Sequence, residues 1–410
     1  MSVSGFHGGL AWANSLPSEC ASSGPASIAQ AAQSVTSAAS AAGNSVAGSL
    51  SSRDINEFFN PSECNLPLQE RYELCASVGE EILKEEELMA LLQRKEMFRC
   101  YDGFEPSGRM HIAQGIMKSI NVNKITSAGG IFIFWIADWF ALMNNKMGGD
   151  LDKIRVVGRY FVEVWKAAGM NLQNVQFLWA SDEINKRADE YWSIVIDIAR
   201  RFNINRIKKC GQIMGRAESD EMPTSQIMYP CMQCADIFFI KADVCQLGLD
   251  QRKVNVLAKE YCDAIHREDK PVVISHHMLS GLKEGQAKMS KSDPDSAIFM
   301  EDTRQDVDRK IKRSYCPPEI VAANPILDYC TSIIFPSFGV MTIEMKPEHG
   351  GPKTYNSYEE LKADYETGKL HPGDLKPAVA KAINALLQPV RDHFEHDPYA
   401  RRLLETIKMW

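Results

Sequence analysis

The sequence MFRCYDGFEPSGRMHIAQG, from Met97 to Gly115, contains the pattern that decides the fold. Its first part, Met97 to Phe104, is rich in apolar and aromatic residues and predicts a β-strand, and the Glu-Pro-Ser-Gly sequence that follows predicts a turn. Helical spacing extends from His111 to about Ser127. The continuous apolar run from Gly130 to Ala137 is typical of a strand inside a parallel sheet. Together these segments predict one β-α-β unit.

The rest of the chain repeats this alternation. Further strand candidates, separated by helical segments, are Gln176–Ala180, Ala242–Leu249 and Pro271–Leu279. This order predicts an α/β fold with a doubly wound, Rossmann-like parallel sheet whose ligand lies at the carboxyl ends of the strands. After about Thr303 the sequence becomes helical, with proline and glycine breaks. We therefore expect an α/β domain at residues 61–302, with a helical connecting insertion, and a helical domain at residues 303–410.

The N-terminal residues have a different composition. Half of the first 52 residues are Ser or Ala, and the first Lys or Arg of the chain is Arg53. Such a segment cannot bury a core, so we expect a disordered Ser/Ala-rich leader at residues 1–60. An organelle transit peptide is the alternative, but transit peptides normally carry arginines. From Pro67 onward apolar residues follow helical spacing on a charged background; they are Leu74, Val78, Ile82, Leu83, Leu91 and Leu92.

Composition excludes several classes of protein. The chain has 410 residues, of which 45% are hydrophobic, which is enough for two or three globular domains. The longest apolar run, Gly129 to Met143, is shorter than a membrane helix and contains Asp138, so we expect no membrane span. The 11 cysteines show no framework spacing and indicate a reducing compartment. The lone Cys231-x-x-Cys234 pair does not complete a zinc site. A net charge of −7 argues against indiscriminate nucleic-acid binding.

Two segments suit a polyanionic ligand. The turn EPSGRM opens a helix, so backbone amides and His111 would face the ligand edge of the sheet, where small residues such as Gly108 let a nucleotide approach. The second segment is GQAKMSKSDPDSAIF, Gly285 to Phe299, which carries Lys288 and Lys291 among polar and turn-forming residues. Two flexible cations on one loop suit a triphosphate that loses pyrophosphate. A solvated surface turn is the alternative for that segment alone.

The pair of segments resembles the "HIGH" and "KMSKS" signatures of class I aminoacyl-tRNA synthetases. KMSKS is complete at residues 288–292, whereas the first signature reads His-Ile-Ala-Gln at residues 111–114 and departs at two of its four places. The missing second histidine leaves one phosphate contact open, although Gln114 can still donate a hydrogen bond.

A third pattern narrows the substrate. Tyr229, Gln233 and Asp236 are spaced four and three apart, which places a phenol, an amide and a carboxylate on one helix face. A solvent-facing polar stripe is the alternative, but the flanking residues are apolar. The sequence YPxxQxxD, followed by Asp-Gln-Arg-Lys at residues 250–253, resembles the amino-acid pocket of tyrosyl-tRNA synthetases of the archaeal and eukaryotic cytosolic branch, especially plant forms. The resemblance covers residues 65–410.

The resemblance implies a set of roles. Tyrosine-binding residues are Tyr101, Glu105, Tyr229, Gln233, Asp236 and Gln251, where Tyr101 and Asp236 contact the phenolic hydroxyl. ATP-binding residues are Gly108, His111, Gln114, Asp250, Lys288, Ser290 and Lys291, and the catalytic residues among them are His111, Lys288 and Lys291. It further implies MgATP as a substrate without a tightly bound cofactor or protein metal ligand, tRNA(Tyr) and L-tyrosine as partners, a homodimer, a cytoplasmic location, and an anticodon-binding role for residues 303–410.

Other readings stay open. A tryptophanyl-tRNA synthetase is disfavoured because indole offers a donor and no hydroxyl. A non-catalytic synthetase-like RNA binder would show eroded motifs, and a small nucleotidyltransferase would not need YPxxQxxD. Composition does not indicate RNA binding by the C-terminal part, because residues 303–410 contain 15 Lys or Arg and 15 Asp or Glu. Two basic clusters could contact RNA or be solvated helix faces; they are Arg309, Lys310, Lys312 and Arg313, and Arg391, Arg401, Arg402 and Lys408.

Overall fold

The computed structural model describes residues 53–214, 221–286, 289, 293–345, 347 and 350–410, with the side chain of Gln212 left aside. Arg53–Trp410 form one compact unit. Residues 1–52 of the predicted leader lie outside the described residues. The prediction that the leader extends to residue 60 is wrong for residues 53–60. Arg53 forms ion pairs with Glu163 (3.1 Å) and Asp397 (3.0 Å), and Asn56 exchanges two hydrogen bonds with the backbone of Phe177.

A six-stranded sheet forms the centre of the fold, with strand order β1-β6-β5-β2-β3-β4. Its strands are β1 (Glu81–Leu83), β2 (Phe98–Phe104), β3 (Gly130–Ile136), β4 (Val175–Trp179), β5 (Val244–Gly248) and β6 (Val272–His276). Strands β2 to β6 are parallel, and β1 pairs with β6 in the antiparallel sense. The chain winds one way from β2 through β3 to β4, and the other way from β5 to β6. The predicted doubly wound sheet is confirmed.

Helices surround the sheet. In the first part of the chain they are α1 (Leu68–Ala76), α2 (Glu85–Arg94), α3 (Lys118–Ser127), α4 (Asp138–Met143), α5 (Leu151–Ala167), α6 (Ala180–Lys186), α7 (Ala188–Arg201), α8 (Ile204–Lys208), α9 (Thr224–Phe239) and α10 (Arg252–Ala264). Among the described residues, no helix is long and apolar enough to cross a membrane.

Strand β1 was not expected. The apolar spacing of the sequence predicts that Ile82 and Leu83 continue a helical pattern, but they belong to a three-residue strand between α1 and α2. The reason is tertiary: Ile82 lies opposite Ile274 of β6, so pairing with the sheet edge outweighs local spacing.

The residues of β3 show why this sheet is central. Its sequence GIFIFWI is buried over nearly its whole length, which fits a parallel strand covered on both faces. On one face the Phe134 ring stacks on Trp165 of α5 with centroids 4.5 Å apart. Helix α5 approaches closely at Gly158, where a Cβ atom would come within 2.6 Å of the Trp179 ring. A side chain at position 158 would therefore push this helix off the sheet.

The connection from β2 to α3 contains an irregular turn. After the turn at residues 105–110, Ala113–Met117 form a π-helical turn that continues directly into α3. The preceding residues are held by a distant segment, because Ile112 N–H donates to the carbonyl of Ile298 (2.8 Å) and His111 forms an isolated bridge with Phe299. This anchoring fixes the direction in which the first helical turn faces the sheet edge.

The C-terminal part is mainly helical, as expected. It contains α11 (Arg304–Arg313), α12 (Pro325–Tyr329), a π turn (Cys330–Ile334), α13 (Phe335–Phe338), α14 (Tyr358–Glu366), α15 (Pro372–His396) and α16 (Pro398–Lys408), with a hairpin of β7 (Met341–Ile343) and β8 (Lys353–Tyr355) that was not expected. Of the basic cluster on α11, Lys310 is buried and donates to Asp302 (2.6 Å) and to the carbonyl of Ala297 (2.9 Å). The suggestion that Lys310 faces RNA is therefore wrong.

Candidate active site

A cavity of about 500 Å³ opens where β2 and β5 end side by side. This is the point where the winding of the sheet reverses, which is the usual ligand position in such folds. Most of the predicted site residues line it: Tyr101, Glu105, His111, Gln114, Tyr229, Gln233, Asp236, Asp250 and Gln251. Gly108 is not among the lining residues; its φ of +108° is the backbone conformation that favours glycine.

Three of the predicted site residues belong to the KMSKS sequence and lie outside the described residues; they are Lys288, Ser290 and Lys291. Met289, the residue of that sequence which the structure does describe, is buried and lines the cavity.

Asp236 of α9 is the buried acid of the cavity. Its Oδ1 accepts a hydrogen bond from the hydroxyl of Tyr191 (2.9 Å). Within the described part of the chain, Oδ2 is buried and has no hydrogen-bond partner, and the same holds for the indole nitrogen of Trp135. Burial raises the pKa of Asp236 well above its ordinary value, against the smaller lowering effects of the Tyr191 hydroxyl and of the nearby Trp135 indole. Tyr101, also buried, lines the same part of the wall.

A second group of lining residues is centred on Glu105, just after β2. Its carboxylate accepts from the Tyr229 hydroxyl (2.7 Å) and from Asn144 Nδ2 (3.1 and 3.2 Å), and Lys146 Nζ lies 3.7 Å away. Burial, followed by the charge of Glu105, raises the pKa of Tyr229 well above its ordinary range. The phenol of Tyr229 is therefore a neutral hydrogen-bonding group.

The two glutamines are joined to each other. Gln233 Nε2 donates to Gln251 Oε1 (3.0 Å), and Gln251 Nε2 donates to the carbonyl of Ile213 (3.4 Å). Gln233 Oε1 is buried and has no hydrogen-bond partner among the residues that the structure describes. This orphaned acceptor suits a ligand with donors, such as an ammonium group.

The residues of the first signature lie at the start of the π turn. Gln114 lines the cavity from this turn and His111 from just before it, and a Cβ atom on Gly115 would collide with the side chain of Met300. Gln114 holds the helix behind it through its carbonyl, which accepts from the indole of Trp165 (2.8 Å). On the opposite wall, Asp250 follows the end of β5.

Some residues of the site were missed by sequence reasoning. Tyr191, which holds Asp236, and Asn144, which holds Glu105, come from separate helical segments with no spacing relation to the motifs. Asp102, Lys118, Gln246 and His276 form a connected polar row beside the cavity. The helical spacing of Tyr229, Gln233 and Asp236 does not indicate any of these residues, because their positions in the site depend on how distant elements pack.

Comparison with known proteins identifies the family of this chain. The sequence model described as tRNA synthetases class I (W and Y) matches residues 93–388. Over 362 residues the chain is 59% identical to tyrosine–tRNA ligase 1, cytoplasmic, of Arabidopsis thaliana, which covers 88% of this chain and 94% of the ligase. The chain belongs to the tyrosyl-tRNA synthetases.

Two other members of this tyrosyl-tRNA synthetase family are longer. Tyrosine–tRNA ligase 2, cytoplasmic, of Arabidopsis thaliana is 58% identical over 86% of this chain, but the match spans 48% of that ligase. The Leishmania major tyrosyl-tRNA synthetase solved in complex with tyrosinol superposes with a TM-score of 0.80 and 54% identity, over 84% of this chain and 52% of that chain. The chain thus spans about half the length of these two synthetases and nearly all of the first.

Proposed function

We propose that this protein activates L-tyrosine with MgATP to form tyrosyl-adenylate and transfers the tyrosyl group to the 3′ end of tRNA(Tyr). The observation that carries the proposal is the buried carboxylate of Asp236, with one oxygen held by Tyr191 and the other without a partner among the described residues. A phenolic hydroxyl from a substrate would satisfy that second oxygen. Membership of the tyrosyl-tRNA synthetases supports the same assignment.

The site would select tyrosine by hydrogen bonding. Phenylalanine fills the same volume but brings no hydroxyl, so Asp236 Oδ2 would remain buried and unpaired. Rejection of a substrate that lacks a hydrogen-bonding group reaches about 10⁴ to 10⁵-fold in sites built this way, which makes a separate editing step unnecessary. Tyrosine is favoured over tryptophan because Tyr101 can pair with a hydroxyl as well.

The chemistry requires no protein base. The substrate carboxylate is ionised at neutral pH and attacks the α-phosphorus of ATP, so a bond forms to that phosphorus as the bond to pyrophosphate breaks. The protein would act by stabilising charge in the transition state, through His111 and the amides of the first helical turn, and through Lys288 and Lys291. A hydroxyl of the terminal adenosine of the tRNA then attacks the carbonyl of the adenylate, so an ester forms as the bond to the phosphate breaks and AMP leaves.

The remaining roles are part of the same proposal. Tyr229, Gln233 and Gln251 would hold the ammonium and carboxylate of tyrosine, with Glu105 beside them, and Asp250 would meet the ribose hydroxyls. Residues 303–410 would bind the anticodon region, and the protein would act as a homodimer in the cytoplasm, the location named for both Arabidopsis relatives.

Tyrosine-dependent exchange of labelled pyrophosphate into ATP tests the function directly. The expected result is exchange with tyrosine and Mg²⁺, and little exchange with tryptophan or phenylalanine at equal concentration. Exchange that depends on tryptophan instead would assign the protein to the other branch of the class. Absence of exchange from folded protein would favour the non-catalytic RNA binder.

A further inference from the structure

A row of polar side chains lies beside the cavity, and none of them has a role in the proposed reaction. Each comes from a different element: Asp102 from β2, Lys118 from the start of α3, Gln246 from β5 and His276 from the end of β6. Asp102, Lys118 and Gln246 are buried, and Asp102, Lys118 and His276 line the cavity. Burying charged and polar groups costs desolvation free energy, so we expect these four residues to serve a structural or functional purpose that offsets it.

Lys118 is the centre of the row. Its ammonium forms an ion pair with Asp102 and donates to the side-chain oxygen of Gln246 (2.6 Å) and to the backbone oxygen of the same residue (3.2 Å). An ammonium is a donor without acceptor capacity, so the Gln246 amide must present its oxygen to Lys118. Its NH₂ group therefore points the other way.

The NH₂ group of Gln246 lies 2.7 Å from Nδ1 of His276. Because an amide nitrogen only donates, Nδ1 must accept, and the proton of the neutral ring is on Nε2. Burial, together with the positive charges of Lys118 and His277, lowers the pKa of His276 well below its ordinary value. The ring is therefore neutral near pH 7, with one defined tautomer.

The Nε2–H group borders the open part of the site. Within the described residues Nε2 makes no hydrogen bond. Gly248, Asp250, His276 and Met278 all line the cavity. A Cβ atom on Gly248 would come 2.7 Å from Met278 Sδ, 2.8 Å from Asp250 Oδ1 and 3.6 Å from His276 Nε2, so these three atoms are gathered at one part of the cavity wall. His276 Nε2 therefore lies near the carboxylate that would meet the ribose.

We propose that His276 is a nucleotide-binding residue whose Nε2–H donates a hydrogen bond to an acceptor atom of the adenosine part of ATP. Asp102, Lys118 and Gln246 are positioning residues, because they fix the amide and through it the tautomer. This inference rests on the proposed function, since Asp250 marks the ribose position only if ATP binds here. A purely structural row would stabilise the sheet and leave ATP binding unaffected.

The first experiment separates these roles by kinetics. Pyrophosphate exchange is measured for wild type, His276→Phe and Ser275→Ala, with melting temperature followed for each. Phenylalanine keeps an aromatic ring and removes the donor, and Ser275 is the buried neighbour on the opposite face of β6. We expect the KM for ATP to rise about tenfold in His276→Phe, equivalent to about 1.4 kcal/mol, while the KM for tyrosine stays within about twofold. Ser275→Ala should keep both constants.

An unchanged KM for ATP in folded His276→Phe would overturn the inference, and so would an equal rise in both constants. If the folded wild-type protein shows no tyrosine-dependent exchange, the proposed function is overturned instead. The two failures are thus distinguishable.

The second experiment observes the tautomer itself. ¹⁵N NMR of the histidine side chains identifies the His276 signals as those lost in His276→Phe, and we expect a ring protonated on Nε2 and bare on Nδ1 in the wild type. In Gln246→Glu a carboxylate faces Nδ1, which favours the opposite tautomer and removes the donor from the site. The KM for ATP should then rise as in His276→Phe. A wild-type ring protonated on Nδ1, or a Gln246→Glu ring with the opposite tautomer and an unchanged KM for ATP, would contradict the proposal.

Discussion

At the scale of single residues, the proposed selectivity for tyrosine depends on Asp236. Its carboxylate is removed from water and given one hydrogen bond, from Tyr191, although an ionised carboxylate can accept several. Burial disfavours the ionised form and raises the pKa of Asp236 well above its usual range. Under the proposed function, the hydroxyl of tyrosine would supply a partner for Oδ2, and phenylalanine would leave that oxygen unpaired.

We predict that Asp236→Ala lowers kcat/KM for tyrosine by about 100-fold, the scale of one buried group left without its hydrogen-bond partner, and hardly changes kcat/KM for phenylalanine. Tyr191→Phe is the matched control, because it removes the hydrogen bond to Oδ1 and leaves Oδ2 for the substrate. Its preference for tyrosine should survive. The measurement is kcat/KM for both amino acids, with melting temperature alongside. An unchanged preference in folded Asp236→Ala would remove this residue from the specificity pocket.

The site residues that share one motif could be predicted from the sequence, whereas the residues that hold them in position could not. Tyr229, Gln233 and Asp236 follow helical spacing, so the sequence alone places them on one face. Lys118 looks like an ordinary surface lysine in a helix, and it is buried because it meets Asp102 of β2 and Gln246 of β5 in the folded protein. The roles of the site residues stay predictions until variants are measured.

At the scale of elements, Arg71 joins two helix ends. It is buried in α1, and its guanidinium donates to the carbonyls of Ala128 (2.8 Å), Leu92 (3.1 Å), Lys95 (2.9 Å) and Glu96 (2.7 Å). These carbonyls lie at the ends of α3 and α2, where no intrahelical donor exists. One planar side chain therefore satisfies acceptors that would otherwise be buried and unpaired.

Arg71→Leu should lower the free energy of unfolding by about 3 kcal/mol, because it leaves several buried carbonyls without donors. Arg71→Lys retains a charge but not the fork of donors, and should fall between leucine and wild type. Denaturant unfolding of the three proteins measures the effect. Equal stability of Arg71→Leu and wild type would show that water replaces the guanidinium.

The segment after β6 is tied to the C-terminal helices by His277. This imidazole lies 2.9 Å from Asp328 of α12 and 2.9 Å from Glu80, before β1. The hydrogen bond to Asp328, with a further contribution from Glu80, raises the pKa of His277 to about 9, from an ordinary value of 6.5. The charged form is therefore bound more favourably in the folded protein than in the unfolded chain.

The sign of the pH dependence follows from that shift. Stabilisation by His277 should be complete below about pH 6.5 and should disappear as the pH rises through about 9. His277→Gln, which is neutral at every pH, should be less stable than wild type by about 1 kcal/mol at pH 6, and the difference should close by about pH 10. Melting temperatures across this range test it. A difference that grows with pH would reverse the assignment.

The long elements were predictable and the short ones were not. The strands from β2 to β6 are apolar runs between turn residues, and each was located within about two residues except at the end of β6, which was predicted three residues too long. Strand β1 and the hairpin of β7 and β8 have three residues per strand, too few to show a period, and they exist because a partner strand is nearby. Such elements are decided by tertiary contact.

At the scale of the whole molecule, the predicted boundary at residues 302 and 303 falls inside a buried cluster. Glu301 pairs with Arg109 and accepts from Tyr160 (2.8 Å), while the backbone oxygen of Asp302 accepts from Arg391 of α15 (2.7 Å). The two parts therefore share polar contacts at the predicted boundary. A change in sequence pattern can indicate where the secondary structure changes, but it does not show which side chains form contacts across that point.

The N-terminal segment provides a test at this scale. A chain that begins at residue 53 should be more stable than one that begins at residue 61 by about 2 kcal/mol, because only the longer one keeps the Arg53 and Asn56 contacts. The longer chain carrying Arg53→Ala is the matched control and should lie between the two. Denaturant unfolding measures the difference. Equal stability of both truncated chains would show that residues 53–60 contribute no net stabilisation.

The π turn at Ala113–Met117 determines what the deletion of one residue would do to this segment. A π turn holds one more residue than an α-helical turn, so deleting one residue here would leave a continuous helix and not a break. Each residue of a helix rotates the next by about 100°. The deletion would therefore turn His111 away from Phe299, or Lys118 away from Gln246, because a regular helix cannot keep both in phase. The additional residue acts as an angular offset between the cavity-facing turn and the sheet-facing lysine.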